Sequence, residues 1–193
     1  MTARFECEVR FPVEDIKAFK EKLVKLGGKV TYEYGFTDHY YRPKGKTWNP
    51  VEKNIRIREW KDGKYPTAIL LCKNEVISGK DFQFKRSLYE QGKLELFRGD
   101  LALCKTLLDD MGFEPWFEVR KEKASLWDVQ VKGFNIAIEH IPGLGWTCEL
   151  EFSGDDPEEA KKRIENAIGI LEVPADKLCY EPVSAMYAKK MGL

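Results

Sequence analysis

Carboxylate side chains alternate with apolar ones on the first and last strands that the sequence predicts. Glu6 and Glu8 share one face of the strand predicted over residues 4–11, because successive side chains of a strand point to opposite faces. Glu149 and Glu151 share a face of the last strand in the same way. Carboxylate oxygens suit Mg²⁺ and Mn²⁺, so these residues are candidate ligands of a divalent metal.

Arginine and lysine side chains hold comparable positions on the predicted strands. Arg10 shares its face with Glu6 and Glu8, and Arg56 lies beside Arg58 on another strand. Sets of Arg and Lys side chains bind phosphate oxygens. Two further acids, Glu90 and Glu139, also lie on predicted strands. The basic candidates are Arg10, Arg56, Arg58, Lys73, Arg86, Lys121 and Lys123.

Two arrangements of these charged faces are compatible with the pattern. An antiparallel sheet can leave one charged face open to water, and the charges then have no joint function. Alternatively, the sheet closes on itself under its helices, and acids and bases meet inside a barrel as a site for a metal–polyphosphate complex. No P-loop or G-x-G-x-x-G motif offers another phosphate site. In the closed arrangement, the thiols of Cys7 and Cys148 lie outside the barrel, under helices.

The predicted elements give an α+β fold in a single domain over residues 1–193. Amphipathic helices are predicted over residues 12–27 and 100–112, after Pro157 and after Pro182. Short turns link most strands, which favours an antiparallel sheet. The eight predicted strands cover residues 4–11, 32–42, 55–60, 66–73, 82–90, 117–130, 134–141 and 146–152.

Composition excludes several classes of protein. The 32 Lys and Arg residues balance the 32 Asp and Glu residues, which argues against general nucleic-acid binding. No apolar run of about 18 residues predicts a membrane span, and we expect a cytoplasmic protein. Five cysteines and two histidines without ligand spacing argue against a zinc site. The abundance of Lys and Glu and the scarcity of amides are typical of thermophiles.

Taken in order, the motifs of this chain resemble those of the CYTH superfamily, the triphosphate tunnel metalloenzymes. The opening Glu6-Cys7-Glu8-Val9-Arg10 is similar to the E-x-E-x-K/R motif of that family. The later matching segments are Asp38-His39-Tyr40-Tyr41, Arg56-Ile57-Arg58, Lys73, Arg86 to Glu90, Lys121 to Lys123, Glu139 to Gly145 and Glu149 to Glu151.

The resemblance implies a closed eight-stranded antiparallel β tunnel with a charged lumen and helices packed outside. It also implies a monomer or homodimer that uses Mg²⁺ or Mn²⁺ and binds a triphosphate-containing small molecule. The implied catalytic residues are Glu6, Glu8 and Arg10. The implied metal ligands are Glu6, Glu8, Glu139, Glu149 and Glu151. The implied phosphate-binding residues are Arg56, Arg58, Lys73, Arg86, Lys121 and Lys123.

Three positions depart from the family pattern, and three functions stay open. Arg10 replaces the usual lysine and cannot lose its proton, Leu88 replaces a glutamate, and Glu139 replaces an aspartate. The leading hypothesis is metal-dependent hydrolysis of a linear triphosphate, namely tripolyphosphate, thiamine triphosphate or a nucleoside triphosphate. The alternatives are a class IV adenylate cyclase, for which no adenine pocket is identifiable from the sequence, and a non-catalytic nucleotide or polyphosphate binder, which Arg10 favours.

Overall fold

The fold is α+β, as predicted, with a curled antiparallel sheet and four helices. A computed structural model describes residues 5–46, 48–63, 65–78, 83–89, 92–154, 156–190 and 192. The strands are β1 (Phe5–Pro12), β2 (Lys29–Pro43), β3 (Lys53–Trp60), β4 (Thr67–Ser78), β5 (Gln83–Ser87), β6 (Leu94–Gly99), β7 (Phe113–Val129), β8 (Phe134–Ile141) and β9 (Gly145–Gly154). The helices are α1 (Ile16–Lys25), α2 (Leu101–Asp110), α3 (Pro157–Leu171) and α4 (Val183–Lys190).

The described strands number nine, one more than the sequence predicts. Their order is β3-β2-β7-β8-β9-β1-β5-β4-β6, and β3 also pairs with β4. The unpredicted strand is β6, which pairs with the same part of β4 that pairs with β3 on its other side. Leu94 and Leu96 of this strand are exposed, and Phe97 alone of its apolar residues packs against an apolar cluster, so the strand lacks the alternation that predicts a buried face. The eight predicted strands are thus present in the curled sheet, and β6 is an additional edge strand.

Helices α1, α2 and α3 begin at acidic caps and pack against the convex side of the sheet. The side chains of Asp15, Asp100 and Asp156 accept hydrogen bonds from backbone N–H groups at the start of α1, α2 and α3. Helix α4 instead packs with Tyr40 and Phe117 on the inner side, so the expectation that all helices pack outside was wrong for this helix.

Cys7 on β1 and Cys148 on β9 are fully buried in the apolar cluster that these two strands form with α3. The prediction that both thiols lie on the outer side of the sheet, under helices, is therefore confirmed. None of the described helices is long and apolar enough to span a bilayer.

A β-bulge in β7 changes which of its side chains point inward. Phe36 pairs with Lys121, whereas Tyr34, two residues earlier, pairs with Ala124, three residues later. The extra residue in β7 shifts the alternation of its side chains. Lys121 and Ala124 are consequently on the inner side, and Lys123 is exposed on the outside.

Candidate metal and phosphate site

A cavity of 440 Å³ lies on the concave side of the sheet. Acidic and basic side chains from six strands and from the connection that holds Lys93 meet there, and on the strands period-2 alternation turns them to the inner face. The acids that line it are Glu8, Asp38, Glu139, Glu149 and Glu151. The bases that line it are Arg56, Arg58, Lys93 and Lys121.

Three of the acids form a compact group. One carboxylate oxygen from each of Glu8, Glu149 and Glu151 lies within 4.8 Å of the other two. The pairing of β1 with β9 creates the group, because Glu8 lies directly opposite Glu151, and Glu149 is two residues away on the same face. Like charges placed opposite each other are unfavourable in a sheet unless a cation neutralises them. The donor set consists of oxygen atoms alone, which fits the hard divalent cations.

Arg10 lies beside this acidic group but is buried beneath it. Its Nη1 donates to Glu139 Oε2 at 2.7 Å and to Thr147 Oγ1 at 2.9 Å, and its Nη2 pairs with Glu149. Only 2% of the side chain is exposed. Arg10 therefore ties the carboxylate of Glu149 to that of Glu139 rather than presenting its own charge to the cavity.

Glu139 is the centre of a buried polar network. Besides Arg10, its carboxylate accepts hydrogen bonds from Tyr34 Oη at 2.7 Å and Lys121 Nζ at 2.5 Å. Burial alone would raise the pKa of Glu139, but the charges of Lys121 and Arg10 outweigh burial and hold the pKa at about 2. Three donors thus occupy a carboxylate that the sequence resemblance assigned to the metal, and Glu139 is not among the three clustered acids.

A second buried acid, Asp38, organises the two arginines of β3. Arg58 makes a bidentate contact with it, from Nε to Oδ1 at 2.7 Å and from Nη2 to Oδ2 at 2.6 Å. Arg56 Nε lies 3.1 Å from Oδ2 of the same carboxylate. Burial alone would raise the pKa of Asp38, but Arg58 and then Arg56 hold it below its ordinary value. Asp38 therefore stays charged and keeps both guanidinium groups fixed.

Lys93 is a cation of the cavity that sequence reasoning missed. It lies just before β6, a strand that the sequence did not predict, so no alternation placed it on a face. Lys93 lines the same cavity as Arg56 and Arg58, although its side chain is partly exposed. Partial burial and then the charges of Arg58 and Arg56 lower its pKa. Among the described residues, Arg56, Arg58 and Lys121 have an acidic partner, and Lys93 has none.

Three of the predicted phosphate-binding residues do not line the cavity. Lys73 is exposed, and its neighbours Cys72 and Asn74 line the cavity instead, so the alternation of β4 turns Lys73 outward. Arg86 lies opposite Glu75 on the neighbouring strand and forms an ion pair with that glutamate. Glu75 is on the same outer face as Lys73, so Arg86 also points outward. Lys123 points outward because of the bulge in β7. The side chains of Glu6 and Glu90 lie outside the described residues.

Comparisons with known proteins agree with this fold. The profile of the CYTH domain family matches residues 4–177. The chain belongs to the CYTH family. The protein of Methanocaldococcus jannaschii named putative adenylate cyclase is 23% identical to it over 167 residues, which are 86% of this chain and 87% of that protein.

Solved structures of similar fold include one from Pyrococcus horikoshii and one from Hippeastrum. The PH1012 protein of Pyrococcus horikoshii has a TM-score of 0.69 at 21% identity, and the match covers 92% of this chain and 96% of that one. A Hippeastrum protein named putative adenylyl cyclase has a TM-score of 0.65 at 15% identity, with 98% of this chain and 96% of that one covered.

An aromatic wall completes the cavity of this CYTH domain. The rings of Tyr32, Tyr34 and Phe36 follow one another along one face of β2 with centroids 5.6 and 5.8 Å apart, and Trp60 packs edge-on against Phe36 at 5.3 Å. The guanidinium carbon of Arg58 lies 3.8 Å from the centre of the Phe36 ring. The alternation of aromatic residues in β2 was visible in the sequence, but its orientation toward the charged groups was not.

Proposed function

We propose that this CYTH domain hydrolyses a linear triphosphate with the aid of a divalent metal inside a closed β tunnel. The observation that carries the proposal is the clustering of three carboxylates in the same cavity as Arg56 and Arg58. Pairing of β3 with β4 supports closure, because it joins the first strand of the order to the next-to-last one and leaves only β6 outside the ring of described strands. In a closed tunnel, water enters only through the two openings, so charged groups inside interact at a lower effective dielectric constant than in bulk water.

The carboxylates of Glu8, Glu149 and Glu151 would hold the metal. We propose Mg²⁺ or Mn²⁺, because the ligands are oxygen atoms alone. When bound, such an ion supplies positive charge that polarises a phosphoryl oxygen. Glu6 remains a further proposed ligand on the strand of Glu8. Glu139 has no part in the metal site of this proposal, because its oxygen atoms already accept hydrogen bonds from three residues.

The basic side chains would bind the phosphate groups. Asp38 holds Arg56 and Arg58 in place but leaves donors available, since neither Arg58 Nη1 nor Arg56 Nη2 makes a hydrogen bond to the described residues. Lys93 adds a charge that has no acidic partner among the described residues, and Lys121 adds one that Glu139 orients. Positive groups that are fixed before the substrate binds stabilise the charge of a phosphoryl-transfer transition state without reorganisation.

Arg10 would be a positioning residue. A guanidinium group offers hydrogen-bond donors and no acceptor, so it cannot act as a general base. Its contacts with Glu139 and Glu149 instead fix one of the metal-binding carboxylates from below. The substitution of arginine for the usual lysine of the family is therefore compatible with catalysis in which no proton passes through residue 10.

Phosphate release is the direct test of this proposal. Tripolyphosphate, thiamine triphosphate and ATP are each incubated with the protein and Mg²⁺ or Mn²⁺, and free phosphate, pyrophosphate and cyclic AMP are measured. We expect metal-dependent release of phosphate from at least one of them, and loss of that activity in Glu151→Gln, which keeps the side-chain volume but removes a charge.

Lys73→Gln is the matched control, because it removes a charge from the outer face of the sheet. We expect full activity from it. Tight binding of the triphosphates without turnover would favour a non-catalytic binder. Absence of both binding and turnover would refute the proposal.

A class IV adenylate cyclase is the second candidate, and the aromatic wall favours it. Tyr32, Tyr34, Phe36 and Trp60 supply the apolar surface for a nucleobase that the sequence did not reveal. The fold of the Hippeastrum protein, named an adenylyl cyclase and described as having a dominant triphosphatase activity, is compatible with either reaction. Cyclic AMP with pyrophosphate would identify a cyclase, whereas ADP with phosphate would identify a hydrolase.

A further inference from the structure

The start of helix α4 opens into the cavity. Pro182, Val183 and Ser184 line it, and Val183 packs with the cluster that contains Tyr40. The guanidinium carbon of Arg56 lies 5.7 Å from the centre of the Tyr40 ring. The first turn of α4 is therefore in the part of the cavity where Arg56 lies.

The first turn of α4 has donors that no described residue satisfies. The N–H groups of Ala185 and Met186 donate to Pro182 O, but those of Val183 and Ser184 make no hydrogen bond within the described residues. Unlike the aspartates that precede α1, α2 and α3, Pro182 has no side-chain oxygen to accept from them. The N-terminus of a helix also carries partial positive charge, so it favours an anion.

Two largely buried side chains present hydroxyl groups to the same region. Ser184 and Tyr40 are each 5% exposed, both line the cavity, and neither hydroxyl makes a hydrogen bond to the described residues. Neither oxygen atom is among the enclosed atoms without a partner, so both hydroxyls are open to the cavity and can donate to a ligand with acceptor oxygens beside the uncapped helix. Burial raises the pKa of Tyr40 to about 12, so its hydroxyl keeps its proton and can donate.

We propose that the N-terminus of α4, with the hydroxyls of Ser184 and Tyr40, binds one phosphate group of the oligophosphate chain beside Arg56. The proposal rests on the proposed function, since it assigns a further phosphate-binding part of the same cavity. It gives the last helix of the chain a direct part in substrate binding. Ser184 would be a substrate-binding residue outside every motif segment, whereas Tyr40 lies in the segment Asp38-His39-Tyr40-Tyr41.

Binding of tripolyphosphate in the presence of EDTA tests the proposal by titration calorimetry. Ser184→Ala and Tyr40→Phe each remove one hydroxyl, and the phenylalanine keeps the stack on Phe117, whose ring centre is 4.6 Å away. We expect each variant to bind roughly tenfold more weakly, the scale of one hydrogen bond to a charged group. Ser125→Ala is the matched control, because Ser125 is similarly buried but does not line the cavity, and we expect its affinity to stay within about twofold of wild type.

A carboxylate at position 184 separates a binding role from a packing role. In Ser184→Asp the new side chain takes the place of the phosphate at the start of α4, so the melting temperature should hold or rise while tripolyphosphate binding falls at least a hundredfold. Wild-type affinity in both Ser184→Ala and Tyr40→Phe would overturn this inference alone, whatever the aspartate variant does. Failure of the wild type to bind tripolyphosphate, with or without metal, would overturn the proposed function as well.

Discussion

Replacement of Glu139 by glutamine distinguishes a structural role for this residue from a role as metal ligand. The substitution leaves the guanidinium of Arg10 and the ammonium of Lys121 buried with no carboxylate between them. Removing one partner of a buried ion pair costs about 3–5 kcal/mol. The pKa gives a similar figure, because a drop from the ordinary value of 4.5 to about 2 corresponds to about 3 kcal/mol of stability.

The stability that Glu139→Gln removes should be greatest at neutral pH and should decrease as the pH falls. Because folding lowers the pKa of Glu139, its contribution is complete above pH 4.5 and disappears as the pH falls to about 2. Urea unfolding at a series of pH values measures this, and the difference between wild type and Glu139→Gln removes the contribution of the other acids. We expect a difference of about 3 kcal/mol at pH 7 that shrinks toward zero at pH 2. A stable variant that has lost only its metal affinity would refute the reasoning and restore Glu139 to the metal site.

Three further substitutions test separate parts of the cavity. Lys93→Met should weaken tripolyphosphate binding about tenfold in calorimetry, whereas Lys73→Met should change it by less than about twofold. The pKa of Lys93 lies below its ordinary value of 10.5. The difference in affinity between wild type and Lys93→Met should therefore vanish as the pH rises through the pKa of Lys93. Equal affinities of these two proteins at pH 7 would contradict the assignment. Asp38→Asn should destabilise the protein by about 3 kcal/mol. Tripolyphosphate should raise the melting temperature of this variant more than that of wild type, because phosphate then replaces the missing carboxylate beside Arg58. Equal shifts of the two proteins in calorimetric melting scans would contradict this role of Asp38. Trp60→Leu should lower the affinity for ATP about tenfold and leave that for tripolyphosphate unchanged, because stacking on a base is worth about 1–3 kcal/mol, and parallel losses would show that the wall is structural.

The parts of the site that the sequence predicted well are those on regular strands. Glu8, Glu149 and Glu151 were found by alternation alone, and the direct pairing of β1 with β9 brings them together. Arg56 and Arg58 follow the same rule on β3. The burial of Cys7 and Cys148 was a consequence of the same alternation. Period-2 geometry is a local property, so it can be read wherever no bulge interrupts it.

The errors arose where local pattern and tertiary structure separate. A bulge in β7 cannot be seen in the spacing of Lys121 and Lys123, because an extra residue moves the second lysine to the other face without changing the sequence pattern. Lys73 was assigned to the inner face by its resemblance to a motif, although the register of β4 places Cys72 and Asn74 there. Lys93 lies in a connection without alternation, so only the folded chain shows where it is.

A crystal structure with Mn²⁺ and tripolyphosphate would test the central claim most directly, with anomalous scattering to locate the metal. We predict a Mn²⁺ peak bound by the carboxylates of Glu8, Glu149 and Glu151, and phosphate oxygens in contact with Arg56 and Arg58. A metal held elsewhere, or a triphosphate bound on the outer face near Lys73 or Lys123, would contradict the account.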